Sequence, residues 1–456
     1  MKKSANIDQI LNKLSKEELI SIIVQIAERD EQLRSTLLLQ YGDGDNKQRL
    51  SAYNKLMKSI VKRYKGRERF IPCRDAHRFT EEMIDLLENF DPMNNLKLAL
   101  DAAILMLAEA IEAFQYADDS NGDIGLLVDQ TLQYIHTLAC NLHENDWSIR
   151  ELMLNRLLGL RKQGIFDGWD DFELLNYRIC IELANSEELL DMLKAAIEQH
   201  IKECDKDEFG SYVIEALLMM LYEILETNST SEELERFRRK YIGFAAFRKL
   251  EIAIQMERGD YHAVIKLAEA GEKQDQRYLG LVLRWKKARY EAYKQLGQGN
   301  EQVILAKELL HQGEYEYYDE LKALDGGDPH EFYKNMVAEL KQSKGWGAKE
   351  IYLRLIAEHH DVAEMMDYVR INPTMIEHYA SGLLPHYTEE VSQLYHAYIM
   401  NMAASASNRS NYYKVCQTIK RYKKLVGKEA SASLIAELEA KYPKRTAFLD
   451  ELNRIK

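Results

Sequence analysis

Proline is scarce in this chain: of 456 residues only Pro72, Pro92, Pro329, Pro373, Pro385 and Pro443 are proline. Each stands beside a predicted helix boundary, and the stretches between them are free of the residue that breaks helices most strongly. Alternating runs of Val, Ile and Thr, the mark of strands, are nearly missing too, so almost no sheet is predicted. Cysteine is sparse and odd in number. Cys73, Cys140, Cys180, Cys204 and Cys416 lie far apart, with no C-x-C or C-x-x-C spacing, which excludes a disulfide framework and predicts a reduced compartment. The amino-terminal residues lack the apolar core of a signal peptide. The most apolar stretch, 96–117, is interrupted by Lys97, Asp101, Glu109 and Glu112, which predicts a buried helix and no membrane span. These absences together predict a cytoplasmic protein that does not engage a membrane.

Enzyme signatures are missing as well. Gly297-Gln298-Gly299 opens like a dinucleotide loop but has no third glycine and follows a helical pattern, not a strand. His330-Glu331 is followed by Phe332, Tyr333 and Lys334, without the second histidine of a zinc protease. Ser59 and Lys62 share S-x-x-K spacing, which is too common to count. There is no phosphate-binding P-loop and no nucleophile elbow. No catalytic residue, cofactor site or metal site is assigned, and the expectation is a protein that is not an enzyme.

What remains is abundant helix former. Long stretches rich in Leu, Ala, Glu, Lys, Met and Gln carry apolar residues at helical spacing. A chain this long exceeds one ordinary core. The expectation is an all-α fold, an irregular α-solenoid or helical-repeat array built of tetratricopeptide-like helix pairs. A formal net charge of −13, with 30% charged residues, predicts a well-solvated surface and argues against a coat for nucleic acid.

Four segments are predicted. Residues 1–45 form a helical pair: Ser15 and Glu18 make a capping box, Leu19, Ile22, Ile23 and Ile26 repeat at helical spacing, and 42–45 end the unit. Residues 46–230 hold longer helices at 50–69, 80–90, 94–117, 126–142, 146–164, 172–184, 186–204 and 208–227. Residues 231–343 have repeat character: Gly259-Asp260-Tyr261 and Gly313-Glu314-Tyr315 each open a helix, and Trp285, Ala288, Tyr290, Ala292, Tyr293 and Leu296 show small-and-aromatic spacing between them. This resembles a degenerate tetratricopeptide repeat. Its alternative is an irregular bundle. Residues 344–456 read as a carboxy-terminal capping region.

Several motifs together resemble the helical region that follows the finger in bacterial SWIM zinc-finger proteins. They are Leu14-Ser15-Lys16-Glu17-Glu18-Leu19 with Ile26-Ala27-Glu28-Arg29-Asp30 and Leu33, then Arg69-Phe70-Ile71 with Asp75-Ala76, then Asp118-Asp119-Ser120-Asn121-Gly122 and finally Asn408-Arg409 with Tyr412. The similarity runs over nearly the whole chain. The finger itself is missing, because neither C-x-C nor C-x-H occurs, and zinc needs those closely spaced ligands. The resemblance therefore implies the helical module alone, with no activity to carry over.

Several features compete for a functional role. Lys55, Lys58, Lys62, Arg63, Lys65, Arg67, Arg69, Arg74 and Arg78 face only Glu68 and Asp75 within one window. Lys58, Lys62, Arg63, Lys65, Arg67 and Arg69 are its nucleic-acid candidates, with Tyr64 or Phe70 for stacking; the competing reading is a solvated face neutralised by acidic neighbours. A second basic group comprises Lys420, Arg421, Lys423, Lys424 and Lys428. The loop 118–123 fails as a calcium loop, since Ala117 and Val128 would occupy its first and twelfth ligand positions. It reads as a helix cap through Asn121 or Asp123, or, with Asp118, Asp119, Asn408 and Arg409, as a polar contact for a partner. His136, Cys140 and His143 share a helix face, and Cys73 with His77 repeats the spacing, but no fourth ligand stands near for a metal. The 27 tyrosines suit packing between repeats, ring buried and hydroxyl wet, or a binding surface. The functional expectation is a scaffold for a protein or peptide, with nucleic acid as the alternative partner. The oligomeric state is left open.

Overall fold

The structure, a computed structural model, describes residues 11–12, 14–29, 33–34, 37, 45–88, 95–143, 146–204 and 208–456. Among the described residues it is all-α, a helical-repeat array of twenty-three helices, and its extended backbone is limited to an isolated bridge between Ile71 and Ala117. None of the described helices is long and apolar enough to cross a membrane. The chain divides into two compact units, Met1–Phe247 and Arg248–Lys456, so the division falls inside the 231–343 segment.

The first unit opens with α1 (Lys16–Arg29), α2 (Asn46–Lys65), α3 (Cys73–Glu88), α4 (Leu96–Ala113) and α5 (Asp123–Cys140). It continues with α6 (Trp147–Lys162), α7 (Asp170–Leu183), α8 (Glu187–Glu203), α9 (Glu208–Asn228) and α10 (Ser231–Lys240). The predicted capping box opens α1: the Ser15 amide donates to Glu18 Oε2 at 2.8 Å and the Glu18 amide to Ser15 Oγ at 3.2 Å. None of the described residues of α1 is buried. The second helix of the predicted amino-terminal pair lies largely outside the described residues. From α2 onward, neighbours pack in sequence order, α2 on α3 and α4, α4 on α5, α6 on α7 and α8 on α9. Tyr53, Phe79, Met83 and Leu217 are fully buried between them. Helix α11 (Ala245–Arg258) carries the division between the units.

The second unit holds α12 (Tyr261–Gln274), α13 (Leu279–Leu296), α14 (Gly299–His311), α15 (Glu316–Asp325), α16 (Pro329–Gln342) and α17 (Trp346–Glu358). After them come α18 (Val362–Ile371), a 3-10 turn at Pro373–Met375, α19 (Ile376–Leu383), α20 (Thr388–Ser405), α21 (Arg409–Val426), α22 (Lys428–Lys441) and α23 (Thr446–Asn453). Most of these helices pack on the one that follows. Four of the turns repeat one hydrogen-bonding pattern, in which a residue one or two positions past the helix adopts positive φ, and its amide and the next bond back to orphan carbonyls. Asp260 N donates to Gln255 O (2.9 Å) with Gly259 N to Met256 O (3.1 Å); the same pair forms at Gln298/Gly297, Glu314/Gly313 and Asp361/His360. The recurring Gly-Asp/Glu-Tyr signature is thus a helix stop, and at His360 (φ 49°) a histidine takes the place that glycine holds in the other three.

Candidate functional site

The basic window is broken up by its neighbours. Lys58 reaches the buried Glu109 of α4, whose other oxygen accepts from Tyr116. Arg63 pairs with Glu82 of α3, and Tyr64 donates to the same carboxylate at 2.6 Å. The Lys65 ammonium sits 3.6 Å over the Tyr116 ring, and Arg74 pairs with Asp75 at 3.3 Å. Lys62, Arg67 and Arg69 are exposed and, among the described residues, have no carboxylate partner. The window is therefore partly a packed face and partly a free basic turn.

That turn is held in place by the isolated bridge. Ile71, fully buried, donates its amide to Tyr116 O (2.8 Å) and accepts from the Asp118 amide (2.9 Å). Two motifs far apart in sequence, Arg69-Phe70-Ile71 and the loop 118–123, thereby lie side by side. Arg69 adopts φ 56°, a left-handed conformation that costs a non-glycine residue about 1–2 kcal/mol. The bridge beside it supplies the over-determined surroundings that such strain requires. Phe70 is left 44% exposed at the tip.

In the loop, the cap is neither Asn121 nor Asp123, contrary to the sequence reading. Gly122, at φ 78°, occupies the N-cap position without a side chain to offer. The reversal lets Asp119 reach forward, so that its Oδ1 accepts from the amides of Ile124 (2.7 Å) and Gly125 (3.4 Å). Asp118 accepts from the hydroxyl and amide of Ser120, which hold its carboxyl below the usual range. Asp123 is buried: its Oδ1 lies 3.2 Å from His77 Nδ1 and its carbonyl accepts from Thr80 Oγ1 at 3.0 Å. His136 and Cys140 touch on α5, Sγ to Nε2 3.6 Å, while His77 turns to Asp123 and Glu81. No three His, Cys, Asp or Glu side chains among the described residues converge as metal ligands.

Asn408 and Arg409 lie in the second unit. Asn408 Oδ1 caps α21 by accepting from the Asn411 amide (2.9 Å), and Arg409 Nε donates to the buried Glu451 of α23 at 3.0 Å. Tyr412, one turn on, stacks on Phe448 with ring centres 4.9 Å apart. The second basic group is also drawn in: Arg421 pairs with Glu377, and Lys423 donates to the terminal carbonyls of Ile455 and Lys456.

The second unit carries a feature that the sequence reading passed over. Between α14 and α16, above α15, lies a groove of about 620 Å³. Leu321, Leu324, Phe332, Met336 and Val303 give it an apolar floor and wall. One end is closed by Lys307, which donates to Glu339 at 2.7 Å, with His311 Nε2 3.2 Å from the other oxygen. Burial alone would raise the Glu339 carboxyl, but Lys307 and then His311 hold it below its ordinary value. The other end is rimmed by Asp325, Asp328 and Glu331. Asp328 caps α16 by accepting from the amides of His330 (2.7 Å) and Glu331 (3.4 Å), and the Asp325 carboxylate takes the Gly327 amide at 3.3 Å. Leu324 and Ile304 stand exposed off the core stripe, beside the acid-rich Gly326-Gly327 turn.

No family model matches the chain, and no curated protein matches it. Among solved structures it is similar to a circular tandem repeat protein with novel repeat topology and enhanced subunit contact surfaces, at 16% identity over 96% of this chain and 95% of that one. The TM-score is 0.15.

Proposed function

We propose that the chain is a non-catalytic helical-repeat scaffold that takes a peptide segment of a partner protein into the groove between α14 and α16. One observation carries this reading: the groove sets five apolar side chains beside five charged ones and Asn335, and its volume of about 620 Å³ lies in the range of ligand-binding clefts. Side chains of an inserted segment would cover Leu324 and Phe332, as amphipathic segments do in grooves between helices. The tetratricopeptide-like character of the turns and the resemblance to the helical region of SWIM proteins belong to the same reading, as a module that binds and does not catalyse. The test is selection of displayed peptides on the full chain, followed by competition with Asn335→Trp, which fills the groove from the exposed side of α16. Selected peptides should lose binding to the variant; peptides that hold equally to both would refute the groove.

A second reading rests on a separate observation. Among the described residues, Lys62, Arg67 and Arg69 stand without carboxylate partners beside the exposed Phe70, an arrangement suited to a phosphate backbone and one stacked base. Labelled single-stranded RNA and DNA, measured at low and high salt with Lys62→Glu and Arg67→Glu, decide it. Binding that weakens steeply with salt and with both substitutions supports a nucleic-acid role, and no binding at low salt removes it.

A further inference from the structure

We infer that the groove of the second unit selects a basic segment, one that presents an apolar stripe flanked by lysine or arginine. The inference rests on the reading of this groove as a docking site and adds the chemistry of its occupant. Four carboxylates, Asp325, Asp328, Glu331 and Glu339, line the groove against one lysine, Lys307. Lys307 is already bound to Glu339. The remaining three carboxylates cluster at the open end, and among the described residues none of them has a basic side chain in ion-pair contact. Asp328 uses one oxygen on its own helix, and Glu331 has its carboxylate in the exposed first turn of α16.

A partly apolar floor with a rim of carboxylates that make no ion pair among the described residues sets two requirements. A neutral apolar segment would satisfy the floor but leave the carboxylates without a counter-charge as solvent is displaced. An acidic segment would meet like charge at the rim, which costs affinity and slows encounter. A segment with Leu or Met on one side and Lys or Arg at its edge meets both, the aliphatic stems of the basic residues adding to the apolar contact. Lys307 and Glu339 close the far end with a neutral pair, so the polarity of the groove is directional. The basic residues of the occupant belong at the Asp325–Asp328–Glu331 end.

The test uses the full chain and two labelled helical peptides, one with a leucine stripe flanked by lysines and one with glutamate in place of each lysine, read by fluorescence anisotropy. The lysine peptide should bind more tightly and weaken as salt rises. Glu331→Lys should weaken it by roughly tenfold, and Asp325→Lys serves as a second reversal at an exposed site. Glu429→Lys changes the net charge equally on the exposed start of α22 and should leave binding unchanged. Equal loss in Glu429→Lys would show attraction to the overall charge and would overturn the inference. If both peptides bind alike and both are blocked by Asn335→Trp, the charge preference fails while the groove stands as a docking site. If neither peptide binds, or Asn335→Trp changes nothing, the docking reading fails with it.

Discussion

Single residues decide how closely some of these helices approach. Gly271 of α12 faces Trp285 of α13, and a Cβ added there would fall 2.8 Å from the indole Cδ1 and 2.9 Å from Arg248 Cδ. The ring has no room to move. Its Nε1 donates to Asp275 Oδ2 at 2.7 Å, and Arg248 binds the same oxygen at 3.0 Å. Gly271→Ala should therefore overpack the α12–α13 pair and destabilise the second unit by about 1–3 kcal/mol, seen as a lower urea midpoint in tryptophan fluorescence. An unchanged midpoint would mean that the pair opens without cost. His360 provides the opposite case, because it is exposed and holds φ 49° in a turn that glycine serves elsewhere. The left-handed strain is about 1–2 kcal/mol, and glycine returns part of it to the unfolded chain as entropy. His360→Gly should raise thermal stability by up to about 1 kcal/mol, and a drop would assign the imidazole a contact of its own.

At the level of elements, α6, α7 and α8 are joined by buried charge. Arg161 of α6 donates to both oxygens of Glu173 on α7 at 2.9 Å, to His200 Nε2 on α8 at 2.9 Å and to Glu203 at 3.1 Å. Since Nε2 faces a donor, His200 is neutral with its proton on Nδ1, which makes no hydrogen bond and lies 3.6 Å from Glu173 Oε1. Burial, then the Arg161 charge, depress its pKa to about 4, opposed only by Glu203. Burial pushes Glu173 the other way, with Arg161 opposing. The unfolded histidine protonates near 6.5, so protons favour the unfolded chain below that value. The stability from a neutral His200 is complete above pH 6.5 and is lost as pH falls toward 4, about 3 kcal/mol in all. Urea unfolding of the first unit should weaken between pH 6.5 and 5, and His200→Gln should flatten that slope; an equal slope in the variant would locate the sensitivity elsewhere. These helices were legible in the sequence because their ends are written locally. Ser186 before α8, Asp260 before α12 and Pro329 at the start of α16 bound them within a few residues of the pattern. The partners were not legible. Lys58 meets Glu109 and Ile71 meets Ala117 across some fifty residues, and no local spacing encodes which distant side chain a lysine will find. The groove was hidden for the same reason, since α14 and α16 each show an ordinary amphipathic pattern and only their meeting leaves Leu324 uncovered.

Across the whole molecule the tyrosines form a common system. Expected to keep their hydroxyls wet, many instead donate to a carboxylate on a neighbouring element. Tyr64 bonds Glu82 at 2.6 Å, Tyr212 Asp171 at 3.2 Å, Tyr290 Glu320 at 2.9 Å, Tyr333 Asp361 at 3.0 Å and Tyr352 Glu364 at 3.0 Å. Tyr315 binds Glu358 beneath the Arg354 guanidinium. Burial first and the carboxylate second push the Tyr64 phenol up to about 12, and Tyr333 and Tyr352 rise for the same causes. The unfolded phenols ionise near 10. The stability these groups contribute is present below that pH and is lost as pH rises through 10 toward 12. Tyrosinate absorbance should accordingly rise in two stages, an exposed set near pH 10 and a later set together with loss of helical circular dichroism. A single stage near pH 10 with helicity intact would refute the coupling. The same bonds constrain how the chain can change over generations. A tyrosine that becomes phenylalanine takes one donor from a half-buried acid, at about 1 kcal/mol; Arg63, Lys294 and Lys341 still hold Glu82, Glu320 and Glu364, so such changes should most often survive with a matching change at the acid. Among descendants of this sequence, the loss of a phenol and the loss of its acid should be inherited as one event.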